Sequence, residues 1–123
     1  MRLVLTTLLM LAATPAWAEW VKYDENERGI FYFDPATIRK DGNLRKAWES
    51  IDHKNPGESG ERSARLLIEY DCKKERYRRL SGFLFSGPMV SGDILVSSSA
   101  PGAWDYPPPG TPAETILKLV CSR

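Results

Sequence analysis

Two cysteines and an export signal set the frame for this chain. Arg2 gives a basic start, Leu3 to Ala13 is an apolar run, and Pro15-Ala16-Trp17-Ala18 ends with small residues at the two positions signal peptidase reads, Ala16 and Ala18. The pattern predicts a secretory signal peptide over residues 1–18, cleaved before Glu19. Export delivers Cys72 and Cys121 to an oxidising compartment, where disulfides form and persist. Residues 19–123 are therefore expected to fold as one small domain closed by a Cys72–Cys121 staple. In the chain-entropy picture a crosslink spanning about 50 residues stabilises by roughly 4 kcal/mol, less any strain. That is a large part of a small domain's total stability.

Charge and hydropathy exclude several partners. The chain carries 17 Lys and Arg against 16 Asp and Glu, and Arg2 leaves with the signal. A neutral mature domain offers no general field for nucleic acid or an anionic membrane. After the signal no apolar stretch approaches the roughly 18 residues of a membrane helix, so no transmembrane segment is expected. No cysteine directly follows Ala18, so no acyl anchor is expected either. The mature protein is expected to be exported and soluble unless something else holds it.

Strand signals dominate residues 20–98. Trp20 to Tyr23 is β-prone, and Gly29-Ile-Phe-Tyr-Phe-Asp34 is an aromatic run stopped by Pro35, where residues 35–38 can make one helical turn. Asp41-Gly42-Asn43 is a turn into a strand over Leu44–Asp52, loosely alternating, with Leu44, Trp48 and Ile51 apolar. His53 to Glu61 reads as a polar loop. Ser63–Cys72 is the clearest strand: Ala64, Leu66, Ile68, Tyr70 and Cys72 share one face at period two, with Arg65, Glu69 and Asp71 on the other. Lys73-Lys74-Glu75 turns the chain into a strand over Arg76–Ser86, and a further strand runs near Asp93–Ser98. Pro101-Gly102 and Tyr106–Gly110 are loop and polyproline-like.

The period changes at the end. Thr111 as N-cap, Pro112 at the first helical position and Glu114 as capping-box glutamate open a helix. Ala113, Ile116, Leu117, Val120 and Cys121 form one apolar stripe along it. Cys121 lies on that stripe and Cys72 on the apolar face of its strand, so the staple ties helix to sheet. The predicted fold is α+β: a single antiparallel β-sheet with a C-terminal helix disulfide-bonded to it.

Candidate chemistry is sparse. His53 is the one histidine and both cysteines are expected to be oxidised, which removes a Ser-His or Cys-His nucleophile. The same shortage argues against zinc. Haem ligation by His53 rests on that single residue. The carboxylate clusters Asp24, Glu25, Glu27 and Glu58, Glu61 read as solvated turn charge rather than a hydrolase pair. No catalytic residue, metal or obligate cofactor is expected. The strongest binding signal is Lys73-Lys74-Glu75-Arg76-Tyr77-Arg78-Arg79, five cations in seven residues. It suits an acidic protein or a sulfated glycan, against a plainer reading as a solvated hairpin tip and charged edge. Arg76 and Arg78 should face one side, Tyr77 and Arg79 the other. Trp20, Trp48 and Phe31-Tyr32-Phe33 are expected in the core. Trp104, in a loop, is the candidate exposed anchor.

Glu69-Tyr70-Asp71-Cys72 followed by Arg76-Tyr77-Arg78 and a late helix ending in Cys121 resembles the surface-adhesin protein E family of Gram-negative bacteria. Tyr32-Phe33-Asp34-Pro35-Ala36-Thr37-Ile38, Gly42-Asn43 with Trp48, Gly92, Trp104 and Pro109-Gly110-Thr111 fit it in order, across the mature chain. The resemblance implies an antiparallel sheet with a disulfide-linked C-terminal helix. It also implies an exported adhesin, associated with host matrix and serum proteins such as vitronectin and laminin, with plasminogen, and with haem. No binding residue is carried over from it beyond the basic hairpin.

Overall fold

A computed structural model describes residues 19–123; the expected signal peptide lies outside the described residues. β1 (Val21–Asn26) and β2 (Gly29–Phe33) form a hairpin. Its turn is held by Asn26 Oδ1, which accepts from the Arg28 and Gly29 N–H groups at 2.8 and 3.3 Å. Asp34 caps a 3₁₀ turn at Pro35–Thr37 by accepting from the Ala36 N–H at 3.1 Å. β3 (Arg39–Asp41) turns through Gly42, at φ +58°, into β4 (Leu44–His53). Then come β5 (Ser63–Asp71), β6 (Arg76–Gly87), β7 (Ser91–Ser98) and α1 (Pro112–Cys121). The strands pair antiparallel in the order β1-β2-β4-β5-β6-β7, with β3 also on β4. β3 carries no apolar signal, being three exposed polar residues. Only its pairing with Leu44–Lys46 makes it a strand.

The pleat gives the sheet two unlike faces. One is covered by α1: Phe33, Ala47, Ile68 and Tyr70 pack beneath Ile116, Leu117 and Val120. Burying each of those three helix side chains contributes roughly 1.5–3 kcal/mol. Thr111 Oγ1 accepts from the Glu114 N–H at 3.4 Å, as a capping threonine should. The Glu114 carboxylate reaches one residue further out than a capping box requires, to the Gly110 N–H at 3.2 Å. The expected staple is present: Cys72 and Cys121 are bonded, with Cα atoms 5.6 Å apart.

β6 carries a bulge that resets its alternation. Pairing passes from Ile68 with Arg79 to Leu67 with Ser81, leaving Leu80 as the extra residue. Tyr77 and Arg79 therefore face α1, whereas Ser81 and Phe83 face away from it. Beyond β7 the chain keeps to the edge of β6. Gly102 N–H donates to Arg79 O at 2.7 Å, and Tyr77 and Asp105 exchange a bonded pair at 2.9 and 2.8 Å.

Candidate binding surface

The basic hairpin separates into bound and free charge. Lys73 and Lys74 sit exposed at the tip, and Arg79 is exposed on the helix side. Arg76 and Arg78 point to the opposite face, where each meets a carboxylate. Arg76 Nε lies 3.1 Å from Asp71, and Arg78 Nη2 lies 2.8 Å from Glu69. Asp71 and Glu69 are buried, at 7% and 5% exposure. This arrangement buries and pairs the two acids on the charged face of β5. It also removes the charged-edge reading, because β6 lies between β5 on one side and β7 and residues 102–105 on the other. The Lys74 N–H donating to Asp71, and then Arg76, hold the Asp71 carboxyl below its ordinary range.

Trp104 belongs to this arrangement. The Arg76 and Arg78 guanidinium carbons lie 4.4 and 4.5 Å from its ring centroid. The ring is half-buried and its backbone is flanked by the Gly102 and Asp105 bonds to β6. Trp104 is thus a fixed lid over two ion pairs, rather than an anchor on a free loop.

The same face carries a second aromatic–arginine group. Trp48 from β4 and Phe83 from β6 stack across β5, with centroids 6.4 Å apart and planes 27° from parallel. The Arg65 guanidinium lies 4.5 Å from the Trp48 centroid and 5.1 Å from that of Phe83. Trp48 is therefore not in the helix-covered core, as its aromatic character suggests, but half-buried on the opposite face. Leu44 and Trp48 are separated from Ile51 for the same reason: alternation puts Ala47, Glu49 and Ile51 under the helix side. Sequence reasoning does not single out Arg65, because a lone arginine opposite an apolar stripe looks like solvated strand surface. The signal lay in its register with Phe83.

On the helix side a cleft of about 150 Å³ opens beside Pro112 and Ala113, floored by Phe31, Ile51 and Leu66. Glu49 lies at its base. Tyr23 Oη donates to Glu49 Oε1 at 3.1 Å, and Tyr70 Oη donates to Oε2. Burial outweighs both hydrogen bonds and pushes the Glu49 carboxyl up to about 7. Burial, and then the Glu49 charge, raise the Tyr23 and Tyr70 hydroxyls as well. A more open cleft of about 390 Å³ continues past Arg28 and beneath Pro108.

The remaining candidates are dispersed. Asp24 and Glu25 lie on β1 rather than in a turn. Glu25 is held to about 2 by hydrogen bonds from Lys22 and Lys54. Glu61 is buried and folds back to accept the Ser59 N–H at 3.0 Å. His53 ends β4 instead of opening a loop, and its Nε2 is buried without a partner. His53 borders neither helix-side cleft. Among the described residues no group of three His, Cys, Asp or Glu side chains is placed to hold a metal. No helix among them is long and apolar enough to cross a membrane.

The family model for surface-adhesin protein E matches residues 20–122. A structure of Haemophilus influenzae protein E in crystal form II is similar with a TM-score of 0.64 at 13% identity, covering 89% of this chain and 91% of that one. The selenomethionine form of the same protein gives 0.65 at 13% identity, covering 89% and 90%. At these identities the structural likeness concerns the fold: a sheet with a helix laid on one face. No curated protein sequence matches the chain.

Proposed function

Because this chain belongs to the surface-adhesin protein E family, we propose that it is an exported, non-catalytic binding protein that engages host matrix or serum protein through acidic segments. The observation that carries the reading is the family match, which runs through residues 20–122 and so takes in both the basic hairpin and its aromatic face. Residues 19–123 act as the binding domain once the leader is removed. Lys73, Lys74 and Arg79 supply the exposed charge. Arg76 and Arg78, neutralised by Asp71 and Glu69 and packed on Trp104, give that charge a rigid base rather than adding to it. Neither carboxylate cluster supports hydrolysis, since Glu25 is tied to two lysines and Glu61 to backbone.

Location tests the reading. Protease digestion of the protein on intact cells is expected, as for a surface adhesin. Protection until the outer membrane is permeabilised would instead make it a periplasmic envelope protein with no host ligand. Binding to an immobilised matrix protein is expected to weaken with salt, because exposed charges are screened.

A further inference from the structure

Among the described residues the helix-free face of the sheet holds one half-buried cation that the fold does not neutralise. On β4, β5 and β6 four arginines or lysines stand on this face in register: Lys46, Arg65, Arg76 and Arg78. Arg76 and Arg78 have buried carboxylate partners. Lys46 is exposed and keeps its hydration. Arg65 has neither compensation. Its Nε is buried without a hydrogen-bond partner. Among the described residues no carboxylate lies within ion-pair distance of it. The acids that share its face on β4 and β5 are engaged elsewhere: Asp52 by the Met89 N–H at 2.8 Å, Glu69 by Arg78 and Asp71 by Arg76.

What surrounds Arg65 is apolar and flat. Trp48 and Phe83 lie against the guanidinium, with Ser50 and Phe83 as its cross-strand neighbours. Stacking strips water from the guanidinium faces and leaves its in-plane N–H fork as the remaining route to a partner. That fork matches a carboxylate bidentately. Charge density argues for the class of partner. A sulfated glycan is held by several spread cations, whereas here one unpaired guanidinium sits among aromatic rings. Such a setting favours an acidic side chain with apolar neighbours, the composition of a protein–protein hot spot.

We infer that Arg65, backed by Trp48 and Phe83, receives a carboxylate from an acidic, partly apolar polypeptide segment of a partner protein, and so forms the specific contact on this face. The inference deepens the reading above and rests on its acidic partner, but it moves the specificity from the hairpin tip to the middle of the sheet.

The test uses the mature protein and a blocked peptide of alternating glutamate and phenylalanine, titrated by NMR and by isothermal calorimetry. Expected are chemical-shift changes at the Trp48 indole and the Arg65 side chain. Arg65→Gln should weaken binding at least tenfold. Arg65→Lys keeps the charge but not the planar fork, and should recover only a minor part of the loss. Circular dichroism of both variants checks the fold. Should Arg65→Gln not fold, Arg65→Lys and Phe83→Leu carry the test, and unchanged affinity in both overturns the inference. Equal affinity of wild type and Arg65→Gln, with binding lost in Lys73→Glu/Lys74→Glu, overturns the inference while leaving the hairpin reading intact. Absence of binding to millimolar peptide, or capture of a heparin hexasaccharide at Arg65 in its place, overturns it too. A surface location found by proteolysis would stand in either case.

Discussion

Glu49→Gln tests the reading of the helix–sheet interface most directly. The Glu49 carboxyl sits 6% exposed on the apolar side of β4, within reach of Tyr23 from β1 and Tyr70 from β5. From α1 it meets the apolar Ala113 and Ile116 across the cleft. Burial disfavours the charged form, so the carboxyl binds its proton more tightly in the fold than in the unfolded chain. The sign follows by linkage: the contribution is complete below the unfolded value near 4.5 and is lost as pH rises through about 7. At about 1.4 kcal/mol per pH unit, the gap between 4.5 and about 7 corresponds to roughly 3 kcal/mol lost by pH 8 to 9. The groups whose carboxyls are held low, Glu25 and Asp71, act the other way and at lower pH. Urea melts of wild type and Glu49→Gln at half-unit steps from pH 5 to 9 separate the effect. Wild-type stability should fall across this range and the variant should be flatter by most of that amount. A constant offset between the two is expected, because the amide changes the bonding with both tyrosines. Parallel curves would refute the argument, since they would mean that the carboxylate keeps enough water or hydrogen bonding to ionise normally.

Three further outcomes follow from the packing. Reduction of Cys72–Cys121, or its replacement by serines, should cost about 4 kcal/mol, read as a lower urea midpoint that added reductant no longer shifts in the variant. Trp104→Ala removes two arginine–ring contacts and should cost about 1–2 kcal/mol; an unchanged midpoint would show that the ring only rests on the ion pairs. Gly29→Ala places a Cβ 2.5 Å from the Asp52 carbonyl oxygen, so the β2–β4 ladder must shift, at a cost of about 1–3 kcal/mol in the same melts.

Local pattern was enough for the order and type of most elements. A period of two in Ser63–Asp71 and an apolar stripe behind Thr111 and Pro112 are set by backbone geometry within a few residues, and the structure places β5 and α1 there. The export signal narrowed the chemistry of the two cysteines, and the disulfide links them. Periodicity does not say which face meets the helix when a strand mixes signals. β4 has Trp48 on one side and Glu49 on the other, and hydropathy alone assigns them the wrong way round. Register decided it, by setting Ala47 opposite Ile68 and Glu49 opposite Leu66, on the side of Tyr70. The bulge at Leu80 is equally invisible in sequence, yet it sends Tyr77 and Phe83 to opposite faces although both are odd-numbered along one strand. The basic hairpin shows the same limit. Its five cations are plain in the chain, but whether each is free depends on partners on another strand. The pairing of Arg76 with Asp71 and Arg78 with Glu69 is a consequence of the β5–β6 register. Arg65, with no such partner, was left as the open cation by tertiary structure alone, because charge compensation is a property of neighbours in space and not of neighbours along the chain.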